Sequence, residues 1–171
     1  MKAILTKLLV LYPELFYLPG YYEEVGKIIK QARELGITAP FLGGDAWDSP
    51  KLVEIAGPQV LNNTHFTNFY SIEDSNPKSK AFVEAFKKEF GQTPDSMAAM
   101  GYDAAYLLVD AIKRANSTDP NKIREALATT SAFKSVSGDM SLTPTHDAVR
   151  SAVIIELKDG KQVYKETVKP L

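Results

Sequence analysis

Asp45 stands directly after Gly43-Gly44, where the apolar run Pro40-Phe41-Leu42 stops. A carboxylate at such a strand end can accept charge-assisted hydrogen bonds from a ligand ammonium group. That chemistry recognises an amine without transforming it. Tyr21 follows Pro19-Gly20 at the end of a second apolar run, Leu15 to Leu18, and offers a ring to an aliphatic side chain and a hydroxyl to a polar group. Both residues also have structural readings. Asp45 can simply initiate the turn ahead of Asp48, and Tyr21 and Tyr22 can both pack on the helix after them. Trp47, the only tryptophan, either lines the same rim or covers the helix that begins near Asp48. Met97 and Tyr102 lie before or within an apolar helix, where a stripe of this kind is core in most proteins.

Other chemistries find little in the chain. His65 and His146 are the only histidines, and neither belongs to a spaced metal-ligand pair. Without cysteine there is no disulfide framework, thiolate zinc site or thiol nucleophile. No G-x-S-x-G elbow and no G-x-G-x-x-G or Walker loop occurs, so no catalytic residue, metal or cofactor is assigned. The pairs Glu23/Glu24 and Glu73/Asp74 fit solvated helix starts.

The elements that must position Tyr21 and Asp45 follow from periodicity. Residues 17–49 have the layout of a βαβ unit, and in open α/β sheets the ligand crevice lies beyond the carboxyl ends of the strands. The intervening helix, Glu23 to Leu35, carries Val25, Ile28, Ile29 and Ala32 on one stripe and stops before Gly36. Helices are also predicted over about 2–11, 51–56 after an Asp48-Ser49-Pro50 cap signal, 75–90, 96–115 and 120–129. The helix over 96–115 is almost wholly apolar in its first three turns, which predicts burial on most sides. Strands are expected at Thr64 to Tyr70 and Ala152 to Leu157, with a return strand from Gln162 to Val168 after the tight turn Asp159-Gly160. Strands alternating with helices until a terminal hairpin indicate an α/β sandwich with a mainly parallel sheet.

With 171 residues, 44% hydrophobic and 24% charged, a single globular domain is the default expectation. A net charge of −1 gives no sign of a nucleic-acid or anionic-membrane partner. Residues 1–11 are interrupted by Lys7 and lack a small-residue cleavage site, so they read as a helix and not as a signal peptide. A chain expressed as it stands would then remain cytoplasmic.

The segments YLPGYYEEVG, IIKQARELGI, GGDAWDS, FTNFYS and MGYDAAYLLVDAIKRA closely resemble the branched-chain (Leu/Ile/Val) amino-acid binding proteins of ABC transporters, which are type I periplasmic binding proteins. The resemblance runs over nearly the whole chain but reaches only the C-terminal half of such a two-lobe protein. It implies a three-layer, flavodoxin-like lobe, a periplasmic or extracellular location, a non-catalytic role with a small aliphatic amino acid as ligand, and an ABC permease as partner. It selects Asp45 as the acid that holds the ligand α-amino group and Tyr21 as a cleft residue, with Met97 and Tyr102 near the cleft from the other lobe. The family commonly has glycine where Ala46 stands, so a left-handed backbone there would strain the loop. Residues 2–8, KAILTKL, match an element internal to the family, which suggests a truncated or engineered chain. In that case the alternative is an α/β domain with no ligand function left. The segments 65–71 and 137–142, where the family's chain crosses between lobes, either rearrange into one sandwich or pair with a second copy. A dimer is expected, with Leu9, Leu11 and Leu61 as its apolar surface.

Overall fold

The amphipathic stripe of Glu23 to Leu35 is the clearest local signal in the chain, and it becomes α2 (Tyr22–Glu34) in a computed structural model that describes residues 1–170. Val25, Ile29 and Ala32 of that stripe are buried, and Gly36 takes the left-handed conformation (φ 81°) that ends the helix. A helix α1 (Lys2–Leu9) precedes it and stops short of Leu11. Helix α3 (Pro50–Ala56) packs across α2 at Gly26, where an added Cβ would lie 3.0 Å from Ile55 Cγ2 and 3.3 Å from Leu52 Cδ1. The absent side chain lets the two helices approach closely.

These helices serve a five-stranded sheet in the order β1 (Phe16–Tyr17), β2 (Phe41–Gly43), β3 (Thr64–Asn68), β7 (Ala152–Lys158) and β8 (Lys161–Val168). The first three strands run parallel, with Phe16 beside Phe41 and Phe41 beside Thr64. Strand β7 joins β3 antiparallel, Asn68 opposite Val153 and Thr64 opposite Leu157. The hairpin to β8 turns on Asp159 (φ 51°) and Gly160 (φ 76°), both left-handed as a tight two-residue turn requires. The expected α/β class, with its C-terminal hairpin, is therefore present. Phe41, Phe66, Val153, Ile155 and Leu157 of the sheet pack with Val25, Ile29, Leu52 and Trp47 in one apolar core.

Arg33 closes the loops at the amino-terminal edge of that sheet. It donates to the carbonyls of Ile37 (2.6 Å), Ala39 (2.8 Å) and Asn62 (3.1 Å), with its guanidinium 5.1 Å over the Phe41 ring. Burial lowers its pKa from the ordinary value, but a guanidinium stays charged throughout the physiological range.

The chain divides into two compact units. The first is Met1–Asn68 with Val153–Glu166; the second is Phe69–Ala152 with the residues from Thr167 onward. The second unit holds α4 (Pro77–Phe90), α5 (Ser96–Ala115), α6 (Pro120–Ala128) and an antiparallel sheet of β4 (Phe133–Ser135), β5 (Gly138–Leu142) and β6 (Ala148–Arg150). Its small core is Tyr70, Phe82, Ala99 and Val136. Asp103 of α5 is buried there and accepts from the Val136 amide (2.7 Å), the Ser137 amide (3.3 Å) and the Ser137 hydroxyl, so one carboxylate holds the β4–β5 turn.

Two expectations are corrected. Leu61 is fully buried in the first core, and Leu9 packs partly against it, so of the three leucines only Leu11 is open apolar surface. Helix α5 is not buried on most sides: only Ser96, Ala99, Asp103 and Ala111 are buried, and Tyr102, Tyr106, Leu108 and Val109 are exposed.

Candidate functional site

The parallel register of β1, β2 and β3 brings their carboxyl ends to one edge of the first unit's sheet. Two turns leave that edge side by side. After β1 the chain passes through Gly20, at φ 151°, to Tyr21, which caps α2 in an extended conformation. After β2 it passes through Gly44 into a single 3-10 turn, Asp45–Trp47, closed by the Trp47 amide on the Gly44 carbonyl (3.1 Å) and the Asp48 amide on the Asp45 carbonyl (3.0 Å). Ala46 sits inside this turn and has no left-handed backbone, so the alanine there causes no strain.

The Tyr21-Tyr22 ambiguity resolves by exposure. Tyr22 packs against the core, while Tyr21 remains 70% exposed at the rim. Asp45 is half-buried, and among the described residues its carboxylate makes no side-chain hydrogen bond or ion pair. A partly desolvated carboxylate left with open lone pairs is disposed to accept donors from outside the chain.

Trp47 takes the core placement of the two left open. It is 1% exposed, packed against the backbone of Gly43, and its ring lies 6.3 Å from that of Phe66. Its part at the rim is to hold the turn from beneath.

Within the Asp48-Ser49-Pro50 cap signal the capping residue is Ser49, whose hydroxyl accepts from the Lys51 amide at 3.3 Å. Asp48 is buried instead and accepts from Asn68 Nδ2 (3.0 Å) and Gln162 Nε2 (2.5 Å), tying the turn to the ends of β3 and β8. Asn68 and Gln162 are therefore support residues that no local pattern announced. Replacing Asp48 by alanine leaves a buried amide unsatisfied and is expected to cost about 2–3 kcal/mol. Asp48→Asn should cost less, since one amide can reverse to restore a pair. Urea denaturation followed by Trp47 fluorescence measures both.

Met97 and Tyr102 belong to the second unit, on α5. Five residues of helix separate their directions by about 140°, and both are solvent-exposed, at 52% and 39%. Tyr102 borders an open groove of about 570 Å³ with Phe82, Tyr106, Val109 and Phe133. Its ring lies 4.5 Å from that of Tyr106, and a hydrogen bond with Tyr106, followed by burial, raises its pKa above the usual phenol value. The structure thus brings Tyr21 and Asp45 to one edge, and places Met97 and Tyr102 on another element in the other unit. Among the described residues no cluster of His, Asp or Glu has the makings of a metal site, and no helix is long and apolar enough to cross a membrane.

The sequence profile of the periplasmic binding protein family matches residues 12–162. This chain belongs to that family. As a periplasmic binding protein it is 32% identical over 140 residues to Leu/Ile/Val-binding protein homolog 1 of Brucella suis, an alignment covering 82% of this chain and 37% of that one. Among solved structures it is similar to the leucine binding protein LivK of Thermotoga maritima, with 38% identity and a TM-score of 0.92 over 98% of this chain and 48% of that one. It is also similar to LivJ of Streptococcus pneumoniae, a branched-chain amino acid transporter substrate binding protein in complex with isoleucine, with 33% identity and a TM-score of 0.90 over 98% and 48% of the two chains. This periplasmic binding protein therefore spans less than half the length of the relatives it matches. Its family is one of binding proteins and not of enzymes.

Proposed function

We propose that this chain is the Asp45-bearing half of an ABC-transporter substrate-binding protein, and that it contributes the ammonium-recognising side of a site for a small aliphatic amino acid. The observation that carries the reading is the Asp45 carboxylate, half-buried, without a side-chain partner, and presented next to exposed Tyr21 at the carboxyl edge of a parallel sheet. The ligand ammonium donates to Asp45, and the Tyr21 ring covers part of the aliphatic side chain. Trp47 and Asp48 position the acid without touching the ligand. The similarity to LivK and to LivJ with isoleucine supports an aliphatic amino acid as ligand and an ABC permease as recipient, with delivery taking place in the periplasm.

Affinity in this chain alone is expected to be weak, because this reading gives the ligand ammonium a partner at Asp45 and assigns none to its carboxylate. A Kd of roughly 1 mM, about 4 kcal/mol of binding, is the scale anticipated. Amide chemical shifts should be followed during titration with isoleucine, leucine, valine and alanine. The expected result is a set of changes confined to residues 18–22 and 43–48 that is lost in Asp45→Ala. Unchanged shifts in the wild-type chain, or equal changes in the variant, would reject the assignment and leave an α/β domain without ligand function.

A further inference from the structure

Asp159-Gly160 is the one Asp-Gly pair in the sequence, and it forms the turn between β7 and β8. An aspartate followed by glycine is open to imide formation, because no side chain shields the glycine amide nitrogen from the neighbouring carboxyl carbon. The fold cannot exchange that glycine. Gly160 has a φ of 76°, and an added Cβ would lie 2.8 Å from Pro58 Cβ and 3.2 Å from Val53 Cγ1. The turn is pressed against α3 and Pro58, so the reactive pair stays as long as the hairpin does. Asp159 is also exposed, so water reaches it. Against this chemistry stands Asn62. Its side-chain oxygen accepts from the Asp159 amide at 2.7 Å, while its Nδ2 donates to Asp159 Oδ1 at 3.1 Å. One side chain thus holds both the main chain and the carboxylate of residue 159. Asn62 is itself fixed: Nδ2 also donates to Gln59 Oε1 (3.2 Å), and its carbonyl accepts from Arg33 (3.1 Å).

We propose that Asp159 is a site of spontaneous isoaspartate formation, and that the Asn62 side chain is the group that restrains it in the folded chain. In the reaction the Gly160 amide nitrogen bonds to Asp159 Cγ, the carboxyl C–OH bond breaks, and the hydroxyl departs with the amide proton as water. The cyclic imide then takes up water at the Asp159 main-chain carbonyl, whose bond to nitrogen breaks. The chain now runs on through Cγ, and a free α-carboxyl remains. One water leaves and one enters, and no oxidant or cofactor takes part. Before the first step the carboxyl must turn from Asn62 toward Gly160, which breaks the bond from Asn62 Nδ2. The product carries an extra methylene in the main chain of a tight turn whose length fixes the register of the strands it joins. Gln162, two residues past Gly160, then loses its place in β8 and with it its bond to Asp48, directly after the Asp45 turn.

The test is to incubate the full chain, Asn62→Ala and Ile29→Val for several weeks in neutral buffer made with heavy-oxygen water, without any ligand. Each is then digested with endoproteinase Asp-N, which cuts before aspartate and not before isoaspartate, and the peptide left uncut at Asp159 is measured by mass spectrometry. The expected result is slow conversion in the wild-type chain and conversion about tenfold faster in Asn62→Ala, with heavy oxygen in the uncut peptide. Ile29→Val, a buried change in the same unit away from the turn, should convert at the wild-type rate. Circular dichroism verifies that both variants fold. Equal rates in wild type and Asn62→Ala, equal acceleration by Ile29→Val, or an uncut peptide without heavy oxygen would each overturn the proposal.

Discussion

Gly43→Ala is expected to destabilise the first unit by about 3–5 kcal/mol, the range found when a large core aromatic is lost. A Cβ at residue 43 would lie 2.0 Å from Trp47 Cε2, 2.3 Å from Cζ2 and 2.5 Å from Nε1, so the indole must leave its place. It has nowhere close by to go, because Trp47 is 1% exposed and shares its core with Phe41, Leu52 and Phe66. Gly44 provides the matched control. An added Cβ there meets nothing within 4 Å, and its φ of −105° is open to any residue. Gly44→Ala should therefore change stability by no more than about 0.5 kcal/mol. Trp47 is the only tryptophan, so its emission during urea unfolding reports this unit directly. A Gly43→Ala protein with the wild-type midpoint and an unshifted emission maximum would show that the indole is not seated as described. The same variant should also displace Asp45, two residues from the disturbance, and weaken any amino-acid response.

The second large effect is expected at Asp103. Alanine there strips the Val136 amide, the Ser137 amide and the Ser137 hydroxyl of their acceptor in a buried place, and should cost about 3 kcal/mol or more. Arg150 adds to the loss. Its guanidinium lies 4.9 Å over the Phe69 ring and donates to the Phe69 carbonyl at 3.2 Å. Burial lowers its pKa, and the negative charge of Asp103 works against that lowering. Removing the carboxylate thus leaves a partly desolvated cation with less compensation. Asp103→Asn retains one acceptor and the side-chain volume, and should lose about half as much. Thermal unfolding followed by far-UV circular dichroism separates the two variants. Equal midpoints for wild type and Asp103→Ala would mean that water satisfies those donors and that the β4–β5 turn does not depend on the carboxylate.

The elements visible in the sequence were those with a local cause. The 3.6-residue stripe of α2, the Asp119 and Pro120 start of α6 and the Asp159-Gly160 turn each write their geometry into adjacent residues. Asp45 and Tyr21 were legible for the same reason, each standing just beyond a short apolar run. The sheet of β4, β5 and β6 was not, because Phe133–Ser135, Gly138–Leu142 and Ala148–Arg150 are short and show little alternation. Nor could periodicity show that Gln162 would reach Asp48 across 114 positions. Trp47 differs from both cases. Gly43 carried the signal, since a glycine with no left-handed backbone can be there to leave room for a ring, but a Gly-Gly pair reads first as a turn. The apolarity of α5 was read correctly as composition and still misjudged as burial, because apolar composition does not by itself place other elements on every side of a helix.

The pairing of β3 with β7 has a consequence for synthesis. On the ribosome, β1, β2 and β3 emerge long before the strand that must lie beside β3, with all of Phe69–Ala152 translated in between. At common translation rates that interval is on the order of ten seconds. Throughout it, Thr64–Asn68, rich in β-branched and aromatic side chains, presents an unpaired edge that other nascent chains can join. Newly made chain should therefore be most vulnerable to aggregation just before its C-terminal hairpin is released, and a chaperone that masks β3 during that window would raise the yield of folded protein.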